Sequence, residues 1–406
     1  GHTVADGTVV YDELKPGWTD YRSRVFYSSH DVTALLQQGD NVLGTVLTPG
    51  WWSGFISRGI YGKNEPAFMA KLVITYHDNT EETIVSDDTW LSSLDGPLRR
   101  SGIYLGEVYD ARLRRDWTAP GYDCSRWKKV ELAASYKGKV EAQRGPAVRE
   151  LADERRAPVS LTVYQGSKPV GCDYGMVNVV SFSDSMTVTT LKAGQTLIAD
   201  FGQNFAGVVD FKIKGRRGTR MKMRFAEMLN DTGEKNRAND GPGGSLYLEN
   251  LRSAYAGLQY TFSGDEQGES YRPLTTFYGY RYCSITATAD ITLEHIEGVP
   301  LSSSYEDTGI VIAEDDMTNQ LFSNIVWGQR SNLLSVPTDC PQRDERMGWT
   351  ADTQVFSTTA MFNANVAGFY RKWLTDLRDG QRDDGAYPDI APVCWTPTGN
   401  GAWADA

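Results

Sequence analysis

A chain of 406 residues is long enough for about two to four domains, which excludes a single small module. With 40% apolar and 11% aromatic residues it has enough to bury, which excludes a disordered chain. Lys and Arg (41) against Asp and Glu (52) leave a net charge of −11, the wrong sign for neutralising phosphates or anionic lipid, so neither nucleic acid nor a membrane is an expected partner. In chain order, residues 27–111 alternate apolar and polar in short runs broken by turns. Leu72, Ile74 and Tyr76 share one face, and His77-Asp78-Asn79 reads as a hairpin turn. A β-sandwich module is expected there, incomplete at its start, over 1–118. Residues 119–157 are less periodic, end in a charged run, and read as a connector. From Val159 to about Leu301, strand-like stretches recur at roughly ten-residue spacing, the pattern of a second sandwich over 158–306. A polar, Gly-rich loop at 230–250 interrupts it. After Asp307 the period changes to 3.6. Leu321, Phe322, Ile325 and Val326 form one helical face with Asp316 as the expected cap, residues 353–363 a short helix, and Val366, Phe369, Tyr370, Trp373, Leu374 and Leu377 an amphipathic helix ending at Asp379-Gly380. Three consecutive helices without a strand imply helix-on-helix packing, as in a bundle or an α/α toroid.

The five cysteines are scattered, odd in number and form no CxxC pair, which argues against a disulfide scaffold or structural zinc. None of the four histidines falls in the last hundred residues, so a His-ligated metal or a Ser-His-Asp triad is excluded from the helical segment by supply. Chemistry is densest at 336–352. Asp339, Asp344, Glu345 and Asp352 surround Arg343 and Arg346, with Trp349 beside Gly348, and Pro337 and Pro341 keep the start non-helical. Arginines hold some carboxylates ionised while burial or like charge raises the pKa of a neighbour, the condition a general acid requires. Most such clusters are surface ion pairs. An indole among the acids favours a sugar site instead, because a ring stacks a sugar face while carboxylates bind its hydroxyls. Residues 384–406 again combine aromatics and acids in Trp395, Trp403, Tyr387, Asp389 and Asp405. Elsewhere, Gly241–Gly244 lacks the context of a phosphate loop, and Asn230-Asp231-Thr232 fits a glycosylation acceptor.

The stretch PTDCPQRDERMGWTAD at 337–352 resembles the signature of the bacterial α-L-rhamnosidases, inverting glycoside hydrolases with an (α/α)6-barrel catalytic domain. Residues 14–54 and 106–113 resemble that family's N-terminal sandwich, and 198–215, 224–229, 249–254 and 271–282 its second one. The resemblance implies two antiparallel β-sandwiches followed by the beginning of an (α/α)6 barrel from residue 307. It implies Glu345 as the general acid, with Asp339, Arg343, Asp352 and Trp349, and more weakly Trp395 and Asp405, holding the sugar. The implied substrate is a terminal α-L-rhamnosyl residue on a glycoside or polysaccharide. Position 351 is Ala where the family commonly has Gly.

About a hundred residues after Asp307 make room for three or four helices rather than twelve, and the first sandwich lacks its opening strands. The chain is therefore expected to be an excerpt cut at both ends, inactive by itself, with the catalytic base beyond residue 406. The competing expectation is a non-catalytic carbohydrate-binding protein built on the same domains. No cofactor or metal is expected at the site; a calcium ion in a sandwich would fall on Glu107 and Asp110. Oligomeric state and compartment are open: the excerpt carries no address, and a bacterial protein of this kind is either cytoplasmic or exported.

Overall fold

The computed structural model describes residues 2–5, 8–56, 65–394 and 399–404. A β-rich body is followed by helices, and no helix among the described residues is long and apolar enough to cross a membrane.

Fourteen strands make one hydrogen-bonded sheet: β1 (His2–Ala5), β2 (Thr8–Glu13), β3 (Leu98–Gly102), β4 (Gly106–Asp110), β5 (Val148–Glu150), β6 (Ser160–Val170), β7 (Asp173–Ser183), β8 (Thr189–Leu191), β9 (Thr196–Gly215), β10 (Arg220–Ala226), β11 (Gly257–Thr261), β12 (Glu269–Tyr271), β13 (Tyr278–Ala287) and β14 (Ile291–Ser302). Its main path runs β1-β2-β5-β14-β9-β13-β10-β11-β4-β3. The sheet therefore crosses the divisions expected at 118 and 157. Within the connector, β5 pairs Val148 with Glu13 on one side and Arg149 with Ser302 on the other. At the far end β4 runs parallel to β11, with Gly106 opposite Gly257. Gly106 has φ +84°, and a Cβ there would meet the Gly257 carbonyl oxygen at 1.9 Å, so only glycine permits this approach.

Two expected strands, 197–201 and 208–215, are one. β9 is 20 residues long, and its register against β13 slips between Asp200 and Phe205, where Gly202 adopts φ +74°. The first half pairs with β6 and the second with β14, so one strand serves two neighbours in turn. Phe201, Phe205, Phe211, Phe225, Tyr260, Phe262, Tyr278 and Tyr280 fill the space beneath and are almost fully buried. Each such ring contributes roughly 2–3 kcal/mol. The buried phenols are satisfied, Tyr280 donating to the Val208 carbonyl at 2.6 Å and Tyr260 to Glu269 at 3.1 Å.

Residues 27–96 depart from the expected sandwich. The hairpin forms where the turn residues placed it, Lys71–Thr75 against Glu81–Val85, with the Thr80 N–H donating to Asp78. Among the described residues its apolar face is only partly covered: Leu72 and Ile74 are half-buried, while Tyr76 keeps 46% and Ile84 43% of its exposure. Alternation makes a strand pair, but only an opposing layer makes a core, and here the other pairings are a two-residue ladder (Leu91–Ser92 with Lys128–Lys129) and a parallel pair (Arg24–Tyr27 with Lys139–Ala142). The N-terminal region instead contributes Trp18 and Trp51, stacked at 6.1 Å, to the main core.

Helices α1 (Asp316–Asn332), α2 (Thr350–Asn363) and α3 (Ala367–Asp379) form where expected, but a short strand pair, Leu333–Leu334 with Val336–Pro337, intervenes between the first two. The cap of α1 is Asp315, whose carboxylate accepts from the Thr318 N–H at 2.9 Å; the expected Asp316 is one residue inside. Of the expected apolar face of α1, Phe322, Ile325 and Val326 are half-buried. Leu321 is exposed while Trp327 is buried, packed near Phe205 and flanked by Arg156 and Arg330. Buried amides join α1 to α2, Asn363 donating to Gln329 at 2.9 Å. α3 stops at Gly380, as expected, and turns inward not only Phe369 and Trp373 but also Lys372 and Asp376, a buried ion pair at 2.7 Å. Lys372 donates to the Ser335 carbonyl at 3.0 Å and to that of Trp18, tying α3 to the N-terminal region and to the hairpin that opens the polar loop.

Candidate active site

The polar loop joins α1 to α2. A tight hairpin, Leu333–Leu334 with Val336–Pro337, turns at Ser335, which takes φ +65°, and delivers the chain to Asp339 in a non-helical path, as the two prolines imply. One face of the loop is bolted to the β body. The Arg346 guanidinium is 2% exposed and donates to the carbonyls of Ile103 (3.0 Å), Phe277 (2.9 Å), Gln342 (2.9 Å) and Arg343 (3.0 Å), between the rings of Tyr104 and Phe277. Burial pushes it down to about 10, still charged at neutral pH. Tyr104 donates its hydroxyl to the Glu345 carbonyl at 2.7 Å, and a Cβ on Gly279 of β13 would meet Gln342 and Pro341 within 2.9 Å.

The other face gathers the expected residues. Arg343 bridges two carboxylates, donating to Glu345 at 3.1 Å and Asp339 at 3.2 Å. Trp349, immediately before α2, donates its indole N–H to the second Glu345 oxygen at 3.1 Å. Asp339 accepts from the Met347 N–H at 2.9 Å, and its carboxyl sits above the ordinary range because burial outweighs Arg343 and that bond, with the Glu345 charge adding to the rise. Glu345, Asp339, Arg343 and Trp349 thus form one cluster. Asp352 lies in the first turn of α2, exposed and with no side-chain partner among the described residues. Trp395 and Asp405 lie outside the described residues.

Of the other downstream candidates, Trp403 packs 5.7 Å from Trp349. Asp389 is buried, its carboxylate holding Asn400 and its carbonyl holding Thr350, so it builds the wall behind the loop.

Sequence reasoning missed the contribution of the β body. Arg252 reaches Glu345 at 3.0 Å and Asp344 at 3.6 Å, and Ser253 donates to Asp344. Glu227, held by Asn204 at 2.9 Å and facing Arg343, is pushed up by burial. The stretch at 249–254 carried only a family likeness, without a chemical signal that would single these residues out.

Ligand-capable atoms of Asp339, Cys340 and Glu345 lie within 4.8 Å of one another. In the structure the two acids of this set are bridged by the Arg343 guanidinium. The calcium suggestion at Glu107 and Asp110 does not fit. Glu107 accepts from Tyr271, Leu274 and Thr275, and Asp110 is held bidentate by Arg112 while capping the turn that follows β4. Asn230 is 3% exposed, with its amide spent on Asp240, Ser245 and Leu246, so it offers no acceptor for a glycan.

The structure thus presents a β-rich body bearing a loop of acids, arginines and an indole where the helices begin. Comparison with known families goes further. Residues 2–152 match the α-L-rhamnosidase N-terminal domain, 190–302 the bacterial α-L-rhamnosidase concanavalin-like domain, and 306–406 the bacterial α-L-rhamnosidase 6 hairpin glycosidase domain. With three models of one family matching in succession, the chain belongs to the bacterial α-L-rhamnosidases. It is 38% identical over 403 residues to an α-L-rhamnosidase of Streptomyces avermitilis, covering 97% of this chain and 35% of that one. It is 34% identical to one of Formosa agariphila, covering 97% and 38%. Its structure resembles that of the Streptomyces avermitilis α-L-rhamnosidase complexed with L-rhamnose (TM-score 0.79, 34% identity, 98% of this chain and 35% of that one). It also resembles that of the Dictyoglumus thermophilum α-L-rhamnosidase (TM-score 0.78, 31% identity, 98% and 40%). The chain spans little more than a third of the length of these relatives.

Proposed function

We propose that the protein to which this chain belongs hydrolyses terminal α-L-rhamnosyl residues of glycosides or polysaccharides, with Glu345 as the general acid that protonates the departing glycosidic oxygen. The observation that carries this reading is the setting of Glu345: its two oxygens are aimed by Arg343 and the Trp349 indole within a loop whose backbone is bolted down by Arg346. A carboxyl that must meet one oxygen of a bound sugar needs such a fixed direction. Asp339 and Arg343 supply an acceptor and donors for sugar hydroxyls, Trp349 a ring to pack on the pyranose, and Asp352 a free carboxylate at the start of α2. Trp395 and Asp405 complete the assignment as sugar-side residues. Inversion requires a second carboxylate about 6.5–9.5 Å from the acid to activate water on the opposite ring face; we assign that role to no residue of this chain. For the whole protein we infer two β-sandwich modules and an (α/α)6 barrel that begins near residue 307, without a metal or cofactor in the chemical step.

The test is to follow an aryl α-L-rhamnoside by proton NMR with the natural full-length protein. Release of L-rhamnose first as the β-anomer supports the reading; first release of the α-anomer overturns inversion. No rhamnose from aryl or natural rhamnosides, with sugar binding retained, overturns the enzyme in favour of a binding protein.

A further inference from the structure

Glu345 has three side-chain partners: Arg343 and Trp349, its near neighbours in sequence, are hydrogen-bond donors, and the third is an ion pair. The third, Arg252, comes from the β body and reaches the same oxygen that Arg343 holds, at 3.0 Å. The segment that carries Arg252 is built to put it there. Leu248 and Glu249 donate their N–H groups to Asp240, at 2.7 and 2.9 Å, closing the polar loop that follows β10 into a folded strut. Leu251 and Ala254 are buried on either side of Arg252. Arg252 takes φ +55° and ψ −119°, a conformation costly for a side-chain-bearing residue, and Ala256, at φ +45°, donates to the Tyr104 carbonyl at 2.9 Å. Ser253 and Arg252 both engage Asp344, and Tyr104 also holds the Glu345 carbonyl, so strut and loop are fastened at several points. The Arg252 side chain is nonetheless 51% exposed, as befits a group at the rim of a site rather than a structural bolt such as Arg346.

We infer that Arg252 is a positioning residue of the rhamnosidase site proposed above, fixing from outside the loop the direction and charge balance of the Glu345 carboxyl. With Arg252 and Arg343 on one oxygen, the other is left to the indole and to whatever approaches it. Among the described residues, the charged groups facing Glu345 are Arg343 and Asp339 within the loop, Asp344 beside it and Arg252 opposite. Arg252 is the one cation of that set contributed by another region, so removing it changes the set without breaking the loop.

The inference rests on the rhamnosidase reading for its kinetic arm but not for its second arm. In the natural full-length protein, Arg252→Met should cost about 10-fold or more in kcat/KM on an alkyl α-L-rhamnoside, which needs protonation, and less on an activated nitrophenyl rhamnoside. Arg252→Lys should restore part of the lost rate on the alkyl substrate, since it keeps the charge but not the guanidinium's reach. Equal losses on both substrates, or rates identical to those of the unaltered protein, would overturn the inference. The second arm is a double-mutant cycle of Arg252→Met and Glu345→Gln on the melting midpoint, which needs no activity. Non-additive shifts support the pairing and additive ones overturn it. A protein that releases no rhamnose yet shows coupling in the cycle would sink the functional reading and leave the pairing standing.

Discussion

The loop at 338–352 has two faces that use the same residue types for opposite ends. On the side of the β body, Arg346 is buried and every donor it offers to a carbonyl is directed at fixed backbone. On the open side, Arg343 and Arg252 are partly exposed, and their partners are carboxylates capable of exchanging them for a sugar. The difference teaches that the charge cluster is more than a surface ion-pair network, because one arginine in it holds backbone while the others hold carboxylates. One guanidinium sets the shape of the backbone, and the shape then aims the acids. Damage to the first face should appear as lost stability, and damage to the second as lost turnover.

Glu345→Gln gives the largest expected effect on the open face: about 10²- to 10⁴-fold less turnover of a substrate with a poor leaving group, with the melting midpoint close to that of the unaltered protein. A large drop in midpoint would erase the distinction between the faces. Arg346→Met is the reverse case. It removes the guanidinium from four carbonyls, of which, among the described residues, only that of Ile103 keeps another donor, the Thr276 hydroxyl, and a cost of about 3 kcal/mol or more is expected in denaturant unfolding. A neutral result would show that the guanidinium is dispensable to the loop.

A third measurement separates the loop from the helix behind it. Burial raises the Asp376 carboxyl from 3.8 to about 6 despite its contact with Lys372, which burial lowers in turn. The folded state therefore holds the Asp376 proton more tightly than the unfolded state. That stabilisation is full below about pH 4 and is lost as pH rises through about 6. Asp376→Asn should flatten this part of the stability profile, a change on the order of 1–3 kcal/mol, and an unchanged slope would refute it. The smallest effect is expected from Asp352→Asn. With no side-chain partner among the described residues, it should leave stability within about 0.5 kcal/mol and raise KM for the rhamnoside, and an unchanged KM would place it outside the site.

Much of this organisation was legible in the sequence because it is local. The turn at Asp78-Asn79, the helix ending at Gly380 and the bent loop after Pro337 each follow from residues within a few positions. The mutual placement of Asp339, Arg343, Glu345 and Trp349 follows from their closeness in one loop. Neighbouring acids defeated the cap of α1, since Asp315 and Asp316 offer the same chemistry and only the backbone distinguishes them. Non-local pairing was not legible: nothing in Val148–Glu150 announces that it will lie between Glu13 and Ser302. The exposure of residues 71–85 has a related cause. Residues 71–85 and 196–215 alternate alike, but only the second is closed over by Phe225, Tyr260 and Tyr278. Lys372 and Asp376 stand four apart on α3, a spacing that usually marks a solvated pair, and here it points inward. Arg252 was out of reach altogether, because its role exists only once the strut after β10 is folded against the loop.

The central claim is that Glu345 delivers a proton to the leaving group. Its most direct test compares the natural full-length protein with its Glu345→Gln variant on an alkyl rhamnoside and on an activated nitrophenyl rhamnoside, which needs little protonation. A loss of about 10²-fold or more on the first and a much smaller loss on the second is the predicted result. Equal losses on both would remove Glu345 from the acid role and contradict the account.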